Sequence, residues 1–241
     1  MRLRKSERLG RDIRQDDWAE LGITTWDLLE QAIGRGEKKR ALKLLDYLFQ
    51  EGHAAHCSDN DWWAAMITYI GTNFGETEVE KMWRQILADS VVGPYALTRI
   101  ESAEERCKNV VEIFRSEQGV EGAIKVFEET DRYVVECACG TGGRMRRAGR
   151  HEPPFGFGIT SKPYNWSWGR AGVPWYCVHC ALPRGIMAID TCGCPIRVHE
   201  FPDDPDKPCR VIFYKKPELI PEKYFIELGM KKDPSKFRII K

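Results

Sequence analysis

The sequence predicts an α+β protein, and two observations lead to that prediction: the spacing of apolar residues and the positions of the cysteines. Up to about residue 120 the apolar residues recur every three or four positions, as in amphipathic helices, and after it the period shortens toward two, as in strands. Seven of the nine cysteines lie in the second half, and six of them form three short pairs. We therefore expect a helical domain over residues 1–120, packed on a mixed or antiparallel sheet in a cysteine-rich, metal-binding domain over residues 121–241.

Several segments of the first half have the helical period. Thr25 precedes the first of them and is a favoured N-cap residue, and Gly34 and Gly36 follow its end. A break is expected between the second and third segments, near His56 and Asp61. The predicted helices span residues 26–33, 41–49, 61–70, 78–87 and 103–114.

Strand-like segments follow in the second half. Residues 123–128 and 133–137 flank Thr130-Asp131-Arg132 and predict a β-hairpin. Between Gly140 and Gly172 the chain is rich in Gly, Pro, Arg and Trp, and an ordered loop of that length is usually functional. Further strands are predicted over residues 173–177, 186–190, 196–201 and 210–214, and a short helix over residues 217–228.

Composition and charge restrict the class of protein. The chain is 42% hydrophobic with a formal charge of +1, so nothing in its overall charge favours nucleic acid or an anionic membrane. No apolar run approaches the roughly 20 residues that span a bilayer, and residues 1–14 lack the apolar core of a secretory signal. We therefore expect a cytoplasmic protein with reduced cysteines and no membrane or nucleic-acid partner.

The cysteine pairs predict a metal site. The Cys-Val-His-Cys sequence at residues 177–180 allows two sulfurs to bind one zinc ion at about 2.3 Å. The pair at residues 137–139 leaves a predicted strand and enters a glycine-rich turn, so it is the expected second pair, and the pair at residues 192–194 competes with it. The predicted zinc ligands are Cys137, Cys139, Cys177 and Cys180. An iron–sulfur cluster, a reactive dithiol or merely buried cysteines are the alternatives.

One part of this half resembles the core of the alkylmercury (organomercurial) lyases. The resemblance lies in residues 175–182, Trp-Tyr-Cys-Val-His-Cys-Ala-Leu, and in residues 189–198, Ile-Asp-Thr-Cys-Gly-Cys-Pro-Ile-Arg-Val. The resemblance implies an N-terminal helical region, a C-terminal mixed sheet and a catalytic cysteine at Cys177. Cys180 stands where that family has an aspartate, and no cysteine follows Cys209 to match the family's second catalytic cysteine.

Residues 137–143, Cys-Ala-Cys-Gly-Thr-Gly-Gly, resemble the CxCGxG zinc knuckle of some secretion and nuclease-associated proteins. The further ligands of such a knuckle are missing at short range here, where His151 is the nearby candidate. The resemblance implies that Cys177 and Cys180 would complete the site.

Three side chains are candidates for proton transfer. His179 lies inside the Cys-Val-His-Cys sequence, and His56 and Asp61 are close enough along the chain to act as a base oriented by a carboxylate. The simpler explanation for the second pair is structural, because aspartate caps helices and the helix dipole favours histidine near a C-terminus.

Arginine and tryptophan interleave in the long loop. Such residues bind a small anion, for example a carboxylate or a phosphate, or are solvated arginines beside core tryptophans. The nearly neutral chain favours the small anion over nucleic acid as a ligand. The candidates are Arg144, Arg147, Trp168 and Arg170.

The sequence thus predicts a cytoplasmic zinc enzyme, a hydrolase or lyase, acting on a small, anionic organic substrate at the interface of the helical and sheet halves. Two other classes remain open. One is a non-enzymatic module with a structural zinc and a protein partner bound by its helices. The other is an iron–sulfur or dithiol redox protein.

Overall fold

The computed structural model describes residues 1–89, 102–116 and 124–238. These residues form helices and two antiparallel sheets, joined by irregular segments. The predicted α+β class and antiparallel arrangement are therefore confirmed. The domain boundary predicted at residue 120 lies outside the described residues. The chain divides into two compact units, Met1–Ser58 and Asp59–Lys241.

The first unit contains a hairpin that the sequence did not reveal, because its residues are mostly charged and exposed. Strand β1 (Leu3–Ser6) pairs antiparallel with β2 (Arg11–Arg14). Helix α1 (Trp18–Leu21) precedes α2 (Thr25–Gly34), which matches its prediction. The N-cap is Thr24, whose hydroxyl accepts a hydrogen bond from the backbone N–H of Asp27 at 3.1 Å, rather than Thr25.

Helix α3 (Lys38–Phe74) is continuous for 37 residues, so the break predicted near His56 and Asp61 is wrong. The polar residues there suggest a cap, but no proline interrupts the backbone hydrogen bonds. No helix in the described ranges, α3 included, is both long enough and apolar enough to cross a membrane.

In the second unit, α4 (Glu76–Asp89) and α5 (Ala103–Ser116) match their predictions. Helix α5 covers one face of the larger sheet with Ala103, Cys107 and Val110. The sheet presents to it the side chains of Val135, Val211 and Phe213.

The larger sheet has four antiparallel strands in the order β3-β4-β6-β5. They are β3 (Lys125–Glu128), β4 (Arg132–Cys137), β5 (Val198–Glu200) and β6 (Cys209–Tyr214). Strand β4 pairs with β6 in a register that places Cys137 opposite Cys209. The end of β4 and the start of β6 therefore bring cysteines together.

Two segments predicted as strands are not strands. Residues 173–176 are irregular, and the following residues form a 3-10 turn (Cys177–Cys180), a π-helical turn (Leu182–Ile186) and α7 (Met187–Cys192). Short apolar runs that are buried on all sides do not distinguish strand from helix by their period. The remaining helices are α6 (Gly142–Arg147), α8 (Lys223–Ile226) and 3-10 turns at Asn165–Ser167, Pro217–Leu219 and Pro234–Lys236.

Trp175 holds the long loop against the helices. Its indole lies directly on Gly71 of α3 and Gly158 of the loop, where any Cβ atom would overlap the ring. The indole N–H of Trp83 donates to the Trp175 carbonyl oxygen at 3.1 Å, and the Thr68 hydroxyl accepts from the Gly158 N–H at 2.9 Å. This packing positions the 3-10 turn that follows Trp175.

Gly71→Ala should therefore destabilise the protein, although alanine normally favours a helix over glycine by about 1 kcal/mol. The added methyl group would overlap the Trp175 indole, and overpacking a core typically costs about 1–3 kcal/mol. Urea unfolding followed by circular dichroism should show a loss of about that size. Gly34→Ala, with open space around its Cβ, is the matched control and should be neutral or stabilising. Equal effects of the two substitutions would contradict the packing described.

Candidate functional site

A narrow cavity of about 40 Å³ lies where four chain segments meet. The segments are the turn after β4, the 3-10 turn at Cys177–Cys180, strand β5 and the start of β6. Four cysteines and two histidines line it: Cys139, Cys177, Cys180, Cys209, His179 and His199. We call this the thiol cavity.

The glycines after β4 allow the backbone to approach two of these sulfurs. A Cβ at Gly142 would overlap the sulfur of Cys177, and one at Gly143 would lie 2.8 Å from Cβ of Cys139. The N–H of Gly143 donates to the Cys139 sulfur at 3.4 Å, and the Thr141 hydroxyl lies 3.2 Å from the same sulfur. The turn thus supplies hydrogen bonds that stabilise a thiolate at Cys139.

The ionisations of Cys139 and Cys209 are coupled. A hydrogen bond from the Cys209 thiol is the main reason that the pKa of Cys139 falls to about 6, against the opposing effect of burial. The same hydrogen bond, together with burial and the nearby negative charge, raises the pKa of Cys209. Near neutral pH the pair therefore consists of a Cys139 thiolate and a Cys209 thiol.

His179 is placed to take the proton of Cys180. Its Nδ1 lies 2.6 Å from the Tyr176 carbonyl oxygen, so Nδ1 carries the hydrogen and the lone pair of Nε2 faces the Cys180 sulfur at 3.5 Å. Burial opposes ionisation of Cys180, but the charges and hydrogen bonds of His179 and His199 outweigh it and lower its pKa well below the usual value. Burial lowers the pKa of His179, but the Cys180 thiolate reverses this and raises it.

Arg197 sets the tautomer of the second histidine. Its Nε donates to Nε2 of His199 at 2.8 Å, and burial lowers the pKa of His199, so the neutral ring carries its hydrogen on Nδ1. Burial also lowers the pKa of Arg197 to about 9, and Arg184 is buried beside it. Two buried guanidinium groups favour a negative charge on the neighbouring Cys180.

The other two predicted zinc ligands favour the thiol form. Burial raises the pKa of Cys177 well above its usual value and that of Cys137 to about 12. Within the described part of the chain, no group of three or more His, Cys, Asp or Glu side chains is arranged to hold a metal ion. Zinc therefore stays a prediction for this site.

Cationic side chains line the same cavity. One of them is Arg147, a candidate anion-binding residue from the sequence, which donates to the Cys139 carbonyl oxygen at 2.7 Å. Arg146, which the sequence did not single out, donates to the carbonyl oxygens of Pro202 at 2.8 Å and of Asp203 at 2.5 Å. Carbonyl groups are neutral, so these bonds hold the Arg146 guanidinium in place without cancelling its charge. Lys207 adds a further positive charge to the lining.

Trp168, which the sequence makes a candidate for binding a small anionic substrate, lines the thiol cavity. Its backbone is left-handed, with φ of 55°, a conformation that costs a non-glycine residue on the order of 1 kcal/mol. Its ring stacks on Phe201 with centroids 5.4 Å apart. The Ser167 hydroxyl accepts from the Tyr164 N–H at 3.1 Å and stabilises the turn that leads into it.

The other predicted site residues lie elsewhere. Asp61 accepts a hydrogen bond from Arg144 at 2.5 Å and lies 3.4 Å from Arg150, and Arg170 pairs with Asp203. Among these described residues, Asp61, Arg144 and Arg170 are not part of the cavity lining. Their charged groups bind other side chains of the protein. His56 lies on α3 within the first unit.

Comparison with protein-family models, with curated proteins and with solved structures finds no match for this chain. The resemblance to alkylmercury lyases therefore stays a prediction, and the function has to be inferred from the thiol cavity itself.

Cys209→Ala should raise the pKa of Cys139, because it removes the hydrogen bond that contributes most to its lowering. Only the thiolate reacts with iodoacetamide, so the alkylation rate of Cys139 should reach half its maximum near pH 6 in the parent protein and at higher pH in the variant. Peptide mass spectrometry of timed samples gives this rate for each cysteine. Cys57→Ala, in the first unit, should leave the midpoint of Cys139 unchanged. An unchanged midpoint in Cys209→Ala would refute the coupling of Cys139 and Cys209.

Proposed function

We propose that the protein is a thiol-dependent enzyme, a hydrolase or lyase, in which Cys180 attacks an electrophilic carbon of a small organic anion. The observation that supports it best is the hydrogen-bonded series from the Tyr176 carbonyl through His179 to the Cys180 sulfur. A nucleophile, a base and a group that orients the base are the parts from which activated cysteines are built.

Each group would have a defined role in the reaction. Nε2 of His179 takes the proton of Cys180, and the thiolate forms a bond to the substrate carbon while the bond to the leaving group breaks. The leaving group departs with the electron pair and receives the proton from Nε2. In a hydrolase, water then attacks the enzyme-bound carbon with His179 as base, the C–S bond breaks, and the Cys180 thiolate takes the proton back from His179. In a lyase, His179 instead removes a proton from the carbon next to the enzyme-bound one, and the C–S bond breaks as the double bond forms, which again releases the Cys180 thiolate.

The substrate class follows from the size and charge of the thiol cavity. A volume of about 40 Å³ admits only a small reacting group. Arg146 and Lys207 favour a carboxylate or phosphate close to that group, and the indole of Trp168 offers an apolar wall. These features support the small anionic substrate expected from the sequence.

Zinc bound at the same cluster is the second candidate. The support for zinc is that four cysteines lie close enough to affect one another's ionisation, since Cys139, Cys177 and Cys180 all raise the pKa of Cys209. Cys139 and Cys180 also favour the thiolate, the form that binds zinc. A zinc-bound Cys180 would not be available as a nucleophile, so alkylation of this residue distinguishes the two candidates.

If the site accepts small anions, Cys180 should prefer iodoacetate over the neutral iodoacetamide by more than Cys57 does, which is half-buried and lies in the first unit. For each cysteine we take the alkylation rate with iodoacetate divided by the rate with iodoacetamide. The normalised ratio is the value at Cys180 divided by the value at Cys57, and at low salt we expect it to be several times larger than one. Lys207→Met should lower this ratio, whereas Lys81→Met, on α4, should not. A normalised ratio of one or less in the parent protein would contradict the anionic substrate.

His179→Gln should slow the alkylation of Cys180 by about tenfold or more at pH 7, because it removes the base that accepts the thiol proton. Circular dichroism checks that the variant is folded. Elemental analysis of protein purified without chelators completes the test. Bound zinc, with Cys180 alkylated only after a chelator is added, would favour the second candidate and overturn the first.

A further inference from the structure

We propose that a second, larger cavity binds an organic anion that has an apolar body and a phosphate or carboxylate group. This cavity measures about 670 Å³, within the range of about 300–1,000 Å³ that is typical of small-molecule sites. It is formed by the start of α5, residues 194–198, the end of β6 and residues 215–220. It shares no lining residue with the thiol cavity and does not depend on the reaction proposed there.

Part of the larger cavity is apolar. Its walls combine side chains of β5 and β6 with those of the segment that follows β6. They include Ile196, Val198, Ile212, Tyr214, Leu219 and Ile220. An aromatic or aliphatic body would remove this surface from water, at about 25 cal/mol per Å² of apolar area.

The charged part of the lining is strongly cationic. Lys215 pairs with Glu128 at 2.8 Å, and Glu218 is the one carboxylate among the described lining residues. Arg106 also has a partner of its own, so the remaining cations of the lining are Arg197, Lys216 and Arg238. Ala103 begins the 14-residue helix α5 at the same cavity, so the positive end of the helix dipole adds to the field.

Two buried arginines give a second reason to expect an anion. One Nη atom of Arg184 is buried without a hydrogen-bond partner, and Arg184 lies close enough to Arg197 to disfavour its charge. Among the described residues, no carboxylate contributes to stabilising either guanidinium, and only cysteines do. Arg197, but not Arg184, lines the larger cavity, so an anion bound there would complement a guanidinium whose positive charge the described residues offset only with cysteine thiolates.

The test uses 1-naphthyl phosphate, with inorganic phosphate and 1-naphthol as its two separate parts. Isothermal titration of the full chain should show saturable binding of the first, at least tenfold tighter than either part. Lys216→Glu together with Arg238→Glu should weaken it by at least tenfold, and Leu219→Ala should weaken it less. Lys81→Glu together with Lys231→Glu, which changes the net charge equally outside this cavity, is the matched control.

Three results would overturn the proposal. They are no saturable binding of 1-naphthyl phosphate, equal affinity for 1-naphthol, and equal weakening by the control pair. The experiment leaves Cys180 untouched, so its failure would not affect the thiol-dependent reaction, and loss of that reaction would not affect this site.

Discussion

The position of the thiol cavity depends on the packing of Trp175 between Gly71 and Gly158. The indole fixes the irregular segment before Cys177 against α3, and Trp83 of α4 binds the carbonyl of the same residue. The Trp83 ring also lies 5.5 Å from the His179 imidazole. Two helices therefore determine where the turn with Cys180 and His179 stands, although neither helix supplies a lining residue of the cavity.

The cysteines that line the thiol cavity differ in protonation state. Hydrogen bonds from Cys209 and the turn after β4 stabilise Cys139 as a thiolate, and His179 and His199 do so for Cys180. Cys177 is also buried, but no hydrogen bond lowers its pKa, so burial keeps it a thiol. Chemically identical side chains thus acquire different roles from their neighbours, which a cysteine count does not reveal.

Local patterns predicted much of the fold, and long-range register decided the rest. The helices at 26–33 and 103–114 and the hairpin of β3 and β4 follow from periodicity, caps and turn residues. The turn chemistry predicted that Cys137, Cys139, Cys177 and Cys180 meet at one site, and three of them line the thiol cavity whereas Cys137 does not. Cys209 joins them only because β4 pairs with β6 in one particular register, and His199 only because β5 flanks β6. Neither pairing leaves a signal in the residues themselves.

The wide separation of the cysteines along the chain has a consequence for folding. Cys139 and Cys209 lie about 70 residues apart, and joining them requires closing a long loop and forming non-local strand pairs, which are slow steps. Before those steps each thiol has an ordinary pKa of about 8.5 and is mostly protonated at neutral pH. The folded thiol cavity therefore holds more thiolate at neutral pH than the unfolded chain does, so the reactivity of Cys139 and Cys180 toward electrophiles should increase as the strands pair.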